Sequence, residues 1–414
     1  MNNNIFDTRI TEMKNGLKLI SIKKNSQLTS VHIGVKVGSI YENSRDRGIS
    51  HFVEHMLFKG TANYNNEALN NYLEERGGEY NAYTDYSCTV YSITALAEEL
   101  EPSAKILADM LQNSLFPEKE IEKERGVILA EIRTSKDDVE DYSFKRANEA
   151  AFLKSNLRYD ILGEERTVKK FNRAQLLEYY NTHYLPNNSC ITIVSQYDHD
   201  YIFELTEKYF GNWQQKQLKQ TEAVLEHNNS LTEVSYKKDI EQSTIIYVFT
   251  FHGLNKMEEL ALKILNHKFG ESSNSILFRV LREEKGLAYD IYSQMDITSN
   301  IKTLYIYTAV AEENVEEAVN AIDGCIQGIK TGEINFNEDT VALMKKVLKT
   351  AVAATLEDCT DLGNYVLHQS LDNESIFEFV EDMKNLEQIK SSHLYEAANK
   401  VFNNPTIHIL KPEA

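Results

Sequence analysis

Ala95–Ala104 reads ALAEELEPSA, and Ala309–Ala318 reads AVAEENVEEA. Each segment closes a stretch that alternates apolar and polar residues, CTVYSITAL (88–96) and KTLYIYTAV (302–310). Alternation with a period of two marks a half-buried strand. Each then leads into a run of helical period, PSAKILADMLQNSL (102–115) and VEEAVNAIDGCIQGI (315–329). Each also comes shortly after a tyrosine-rich segment, YNAYT (80–84) or AYDIYS (288–293). Shared order as well as shared letters predicts an internal duplication. TSVHIGVKVGS (29–39) and STIIYVFTF (243–251) add a further strand to each half. The expected fold is α+β, with two similar domains, each a largely antiparallel sheet packed with helices. Gln214–Asp239 is polar and without period, so it reads as a surface linker running into a strand. The boundaries expected are therefore an N-terminal domain at 1–215, a linker at 216–235 and a second domain at 236–414.

Composition narrows the function classes. The chain has 414 residues, 42% hydrophobic and 26% charged, enough for two ordinary globular cores without a disulfide or metal to hold them. Its four cysteines, Cys88, Cys190, Cys325 and Cys359, lie far apart, which argues against a thiolate zinc site and a disulfide framework. The start, MNNNIFDTRITEMKNG, has no apolar secretory core, and no apolar run approaches the ~20 residues that span a bilayer. A protein without a membrane segment is expected, cytoplasmic or else secreted by a route the sequence hides. The net charge of −19, from 44 basic and 63 acidic residues, argues against nucleic acid as a partner, because phosphates need cations. That charge has two readings, plain solubility and an acidic cavity that draws basic ligands.

Gly48–Thr61 reads GISHFVEHMLFKGT. At ~100° per residue His55 lies about 40° from His51 on a helix, and Glu54 about 60° to the other side. All three project from one face, and residues four apart are neighbours, so both imidazoles can reach one cation. Imidazole suits zinc, and a catalytic zinc takes a third protein ligand and keeps an open position. The competing reading is an amphipathic helix with a polar side. A third ligand is offered by EKEIEKERGVILAEIRTSK (118–136), where Glu124 and Glu131 are seven apart and share a face. Val127 and Ile128 between them form an apolar patch that would turn that face inward. A carboxylate on such a face needs a partner, and zinc would be one for Glu131, with Glu124 orienting or sharing a proton nearby.

HFVEHMLFKGT, GGEYNAYTDYSCTVYS, EKERGVILAEI and LREEKGLAY, in that order, resemble the pitrilysin-type zinc peptidases, whose His-x-x-Glu-His motif inverts the commoner zinc-helix order. The chain is similar to the branch of short members that includes bacterial processing peptidases and the catalytic subunit of mitochondrial processing peptidase. The resemblance runs from about residue 8 to past 400.

It implies one zinc per chain on His51, His55 and Glu131, with Glu54 as general base and Glu124 assisting. It implies that Arg282 and Tyr289 of the second domain reach the active site, the two domains forming a clam around it. Asn81, Ala82, Tyr83 and Thr84 match the edge strand on which an extended substrate docks. The activity implied is zinc-dependent endopeptidase cleavage of peptides or flexible leader segments, basic ones if the acidic-cavity reading holds. A homodimer, or a heterodimer with a related chain, is the assembly implied. The alternative is a non-catalytic scaffold or partner subunit, since some family members have lost the metal motif. One segment departs from the family pattern. FGESSNSILFRV (269–280) has a single glycine where a glycine-rich loop is usual.

Overall fold

The computed structural model describes residues 6–218 and 222–413, so residues 219–221 of the expected linker lie outside the described residues. Among the described residues eleven strands form two sheets. The first holds β1 (Asp7–Glu12), β2 (Lys18–Lys23), β3 (Leu28–Val35), β4 (Glu79–Thr84), β5 (Thr89–Leu96) and β6 (Ser189–Ser195), in the order β1-β2-β6-β3-β5-β4. The second holds β7 (Leu231–Lys237), β8 (Ser243–Thr250), β9 (Ala288–Ile297), β10 (Lys302–Val310) and β11 (Thr406–Pro412), in the order β7-β11-β8-β10-β9. With β1 set aside the two orders coincide. Each sheet has one parallel pair, β2 with β6 and β7 with β11, and is otherwise antiparallel. The duplicated α+β fold expected from the sequence is therefore present. Ala95–Ala104 and Ala309–Ala318 occupy equivalent places, each running from a strand end through one tight turn into a helix, Leu100–Asn113 or Val315–Thr331.

The duplication continues past those helices. Glu118–Asp137 and Glu338–Glu357 are both helices of 20 residues. Each is followed by a helix of 13 residues, Val139–Ala151 and Cys359–Leu371. Asp138 and Asp358 cap these shorter helices, each accepting from two backbone N–H groups of the first turn.

The compact units are nevertheless not the contiguous halves 1–215 and 236–414. One unit comprises residues up to Arg133, Asp160–Glu222 and Ala353–Ile376; the other comprises Thr134–Tyr159, Ala223–Val352 and Phe377 onward. The Cys359–Leu371 helix packs on β3 and β6 of the first sheet, and Val139–Ala151 packs on β8 and β11 of the second. The expected linker also ends early, because β7 begins at Leu231.

Strand alternation explains the exchange. Along β3, Val31, Ile33 and Val35 enter the first core, which also takes Tyr91, Ile93, Ile191 and Ile193. Ser30, His32 and Gly34 point to the opposite face and are buried as well. That face is covered by the Cys359–Leu371 helix, so closely that a Cβ on Gly363 would lie 2.7 Å from His32 Nδ1. A sheet buried on both faces needs two layers of helix. Here the second layer comes from far along the chain.

Candidate metal centre

The helix Ile49–Met56 carries the motif. Gly48 precedes it with φ +88, and a Cβ there would come within 2.6 Å of the Leu162 carbonyl oxygen. Only glycine meets both demands without strain. No side chain at Gly48 can cap the helix, and Glu42 does so instead: its carboxylate accepts from Gly48 N at 2.8 Å and Ser50 N at 2.9 Å. Burial pushes the Glu42 carboxyl up to about 7, against the pull of those two N–H groups and of the Arg47 charge. Phe52, Val53 and Met56 sink into the first core. His51 and His55 stay at its rim, each half-buried.

His51 Nε2 lies 3.2 Å from His55 Nε2, and Glu131 Oε2 lies 3.9 Å and 3.6 Å from them. A tetrahedral zinc with Zn–N near 2.0–2.1 Å holds neighbouring donors about 3.3 Å apart. The three atoms therefore need only sub-ångström adjustment to share one ion. Glu131 Oε2 is buried and has no hydrogen-bond partner among the described residues. A carboxylate oxygen so placed costs free energy until a cation meets it. Donor set, spacing and orphaned oxygen all fit zinc.

Surrounding groups set the donors' protonation. His55 Nδ1 lies 3.0 Å from Glu124 Oε2, so the proton belongs on Nδ1 and the Nε2 lone pair faces the other donors. Burial pulls His55 down, but the hydrogen bond to Glu124 and the charges of Glu131 and Glu54 outweigh it and hold the imidazole above its ordinary value. His51 is driven down to about 3 by burial and then by the His55 charge. Glu124 is only 6% exposed. Burial raises its carboxyl, but hydrogen bonds from His55 and from Lys59 Nζ, at 2.9 Å, leave it below the usual range.

Glu54 does not join the donor cluster. It is 8% exposed and accepts from Thr84 Oγ1 at 2.7 Å through Oε2. Burial raises its carboxyl, the Thr84 hydrogen bond opposes this, and the charges of His55 and Glu131 act on it too. It is thus a buried, oriented carboxylate beside the donors, free of the task of ligation.

Other expected residues fall as follows. Asn81–Thr84 lie in β4, which is the edge of the first sheet and pairs only with β5 among the described strands. Ala82 and Thr84 face the motif helix side, whereas the Tyr83 hydroxyl turns to Asn364 and His368. Arg282 and Tyr289 belong to the second unit and meet each other there. Arg282 Nη1 donates to the Tyr289 carbonyl at 2.8 Å, and its guanidinium lies 4.3 Å from the Tyr289 ring centre. The Tyr289 side chain is 77% exposed. The expected inward patch on the Glu118–Asp137 helix needs correction. Ile128 is buried but Val127 is 43% exposed, and the inward row is Ile121, Glu124, Ile128 and Ile132. The seven-residue spacing of Glu124 and Glu131 still brings both carboxylates to the motif helix.

Sequence reasoning missed Glu42, Lys59 and the link from Thr84 to Glu54. Only Lys59, four residues after His55 and just past the end of the motif helix, carried a local spacing signal; Glu42 and the Thr84 link carried none.

Comparison with known proteins agrees with this fold. The chain belongs to the M16 peptidase family. The model described as insulinase (peptidase family M16) matches residues 18–165, and that described as the peptidase M16 inactive domain matches 170–348. Within the family the chain is 31% identical to an uncharacterized zinc protease of Rickettsia felis, over 96% of this chain and 95% of that one. It is 28% identical to the mitochondrial-processing peptidase subunit beta of Caenorhabditis elegans, over 87% of this chain and 81% of that one. A solved structure of a protease from Helicobacter pylori superposes with a TM-score of 0.93 at 21% identity, covering 99% of this chain and 100% of that one, and so shares the fold. No helix among the described residues is long and apolar enough to cross a membrane.

Proposed function

We propose that the chain is a zinc-dependent endopeptidase that cuts peptides bound in extended form. The observation that carries this is the donor triangle of His51, His55 and Glu131 with the Glu54 carboxylate held beside it by Thr84. The relatives' names, zinc protease and processing peptidase subunit, support the same reading. His51, His55 and Glu131 would hold one zinc, which when bound polarises the scissile carbonyl and acidifies water.

The remaining chemistry belongs to the chain. Glu54 takes a proton from the attacking water and returns it to the leaving amine. Burial suits it to that exchange, since a raised carboxyl pKa brings it nearer to neutral pH. Thr84 keeps its Oε2 in place, and Glu124 keeps the His55 lone pair turned to the site. The free edge of β4 offers backbone N–H and C=O groups to an extended peptide, which favours peptides and flexible termini over folded proteins. Arg282 and Tyr289 are proposed to contact substrate or the developing oxyanion, a role their resemblance to family residues suggests.

The test is cleavage mapping of a mixed peptide library by mass spectrometry, comparing wild type with Glu54→Gln at matched zinc content. Cuts by the wild type alone establish the peptidase and its base. No cleavage by either protein would move the function to a non-catalytic partner subunit.

A further inference from the structure

Away from the donor triangle, a second cluster of metal-binding side chains lies at the turn that joins β4 to β5. Asp85 and Cys88 come from that turn, and His368 comes from the Cys359–Leu371 helix that covers the first sheet. We propose that Asp85, Cys88 and His368 form a second cation site, which takes a borderline or soft divalent ion such as zinc through a thiolate.

The spacing fits. Cys88 Sγ lies 3.4 Å from Asp85 Oδ2 and 4.0 Å from His368 Nδ1, and the three donor atoms all fall within 4.8 Å of one another. Tetrahedral zinc, with Zn–S near 2.3 Å and Zn–N or Zn–O near 2.0–2.1 Å, holds sulfur about 3.5 Å from its neighbours. The supporting contacts are in place as well. The Tyr83 hydroxyl donates to Asn364 Oδ1 at 2.7 Å and therefore accepts from His368 Nε2, also at 2.7 Å. That puts the imidazole proton on Nε2 and leaves the Nδ1 lone pair facing the sulfur, the arrangement a ligating histidine needs. Asp85 Oδ1 is held by the backbone N–H groups of Ser87 and Cys88, which turns Oδ2 to the sulfur.

The charge fits too. Cys88 is 2% exposed, and the carboxylates of Asp85 and Asp372 act on it. Carboxylates so near the sulfur favour a cation there. A divalent ion then replaces the S–H proton, which leaves to solvent, and one thiolate plus one carboxylate neutralise the ion. Binding would clamp the β4–β5 turn to the Cys359–Leu371 helix. This site stands whether or not the donor triangle catalyses hydrolysis.

The two sites differ in one readable way, since only the second contains sulfur. Metal-free full-length protein is titrated with Co²⁺ and followed in the near ultraviolet, where thiolate-to-cobalt charge transfer absorbs. The expected result is two Co²⁺ per chain, with a charge-transfer band that survives Glu131→Gln and disappears in Cys88→Ser. His368→Gln keeps the thiol, and in it the band should need at least ~10-fold more Co²⁺. Thermal unfolding of each variant shows that it is folded. A single Co²⁺ per chain without the band overturns the proposal, and so does a band that persists in Cys88→Ser.

Discussion

Replacing Glu42 by Gln should make the stability of the first unit less dependent on pH. Glu42 is 4% exposed and holds two N–H groups at the start of the motif helix, yet burial pushes its carboxyl up to about 7 from 4.5. A pKa raised on folding contributes stability that is full below the unfolded value and is lost as pH rises through the folded one. With unfolded and folded values near 4.5 and 7, ionisation costs roughly 0.8 kcal/mol at pH 5 and roughly 3.3 kcal/mol at pH 8. The wild type should therefore lose about 2.5 kcal/mol through this group between those two pH values. Glutamine does not ionise, but its NH₂ faces one of two N–H donors, so the variant starts about 1–3 kcal/mol less stable. The assay is urea unfolding at pH 5 and pH 8, followed by the fluorescence of Trp213, the chain's single tryptophan, which lies in the same unit and is 7% exposed. The stability difference between wild type and variant should shrink by about 2.5 kcal/mol on going to pH 8. An equal difference at both pH values would refute the reasoning. It would mean that Gly48, Ser50 and Arg47 fully offset the cost of burying the charge.

Thr84→Val removes the donor that orients Glu54, a hydrogen bond to a charged group worth about 1.5–3 kcal/mol, so kcat/KM should fall ~10- to 100-fold with zinc content unchanged. Loss of zinc instead would show that Thr84 supports the donors rather than the base. A chain ending at residue 222 lacks the Cys359–Leu371 helix, whose Leu362, Val366 and Leu367 are buried, and should lose up to about 5–8 kcal/mol of apolar burial. A sharp, cooperative melt of that fragment, equal to that of the full chain, would contradict the exchanged-helix account. His408 is held down to about 4 by burial and by the Arg146 charge, so its stability contribution is present above pH 6.5 and fades as pH falls toward 4. Hydrogen exchange of the β11 amides should accelerate over that window by the equivalent of up to ~3 kcal/mol, and His408→Gln should flatten the change.

Much of the candidate metal site was legible because its parts are local. His51, Glu54 and His55 sit within one helical turn and a half, and helical geometry alone puts them on one face. Glu124 and Glu131 share a face for the same reason, even though Val127 does not turn inward with them. The repeated strand–helix junctions at Ala95–Ala104 and Ala309–Ala318 predicted the duplicated α+β fold, since periodicity and order both survive in a linear string. The contiguous domain boundaries did not follow. Ser30, His32 and Gly34 look like the wet side of a half-buried strand, and nothing in β3 says that a helix more than 300 residues later will cover them.

His368 shows the same divide. In the sequence it is a histidine without a ligand-spaced neighbour, and Cys88 is one of four scattered cysteines; 280 positions separate the two. Spacing rules see partners within a turn or a hairpin, because only there does backbone geometry fix the distance between side chains. By itself the sequence determined the duplicated sheets, the motif helix and the pairing of its histidines with Glu131. The tertiary structure alone decided which helix covers which sheet, how Glu42 and Thr84 brace the site, and that Asp85, Cys88 and His368 meet. Those contacts arise from burying both faces of a sheet, and the free energy of that burial depends on the whole chain.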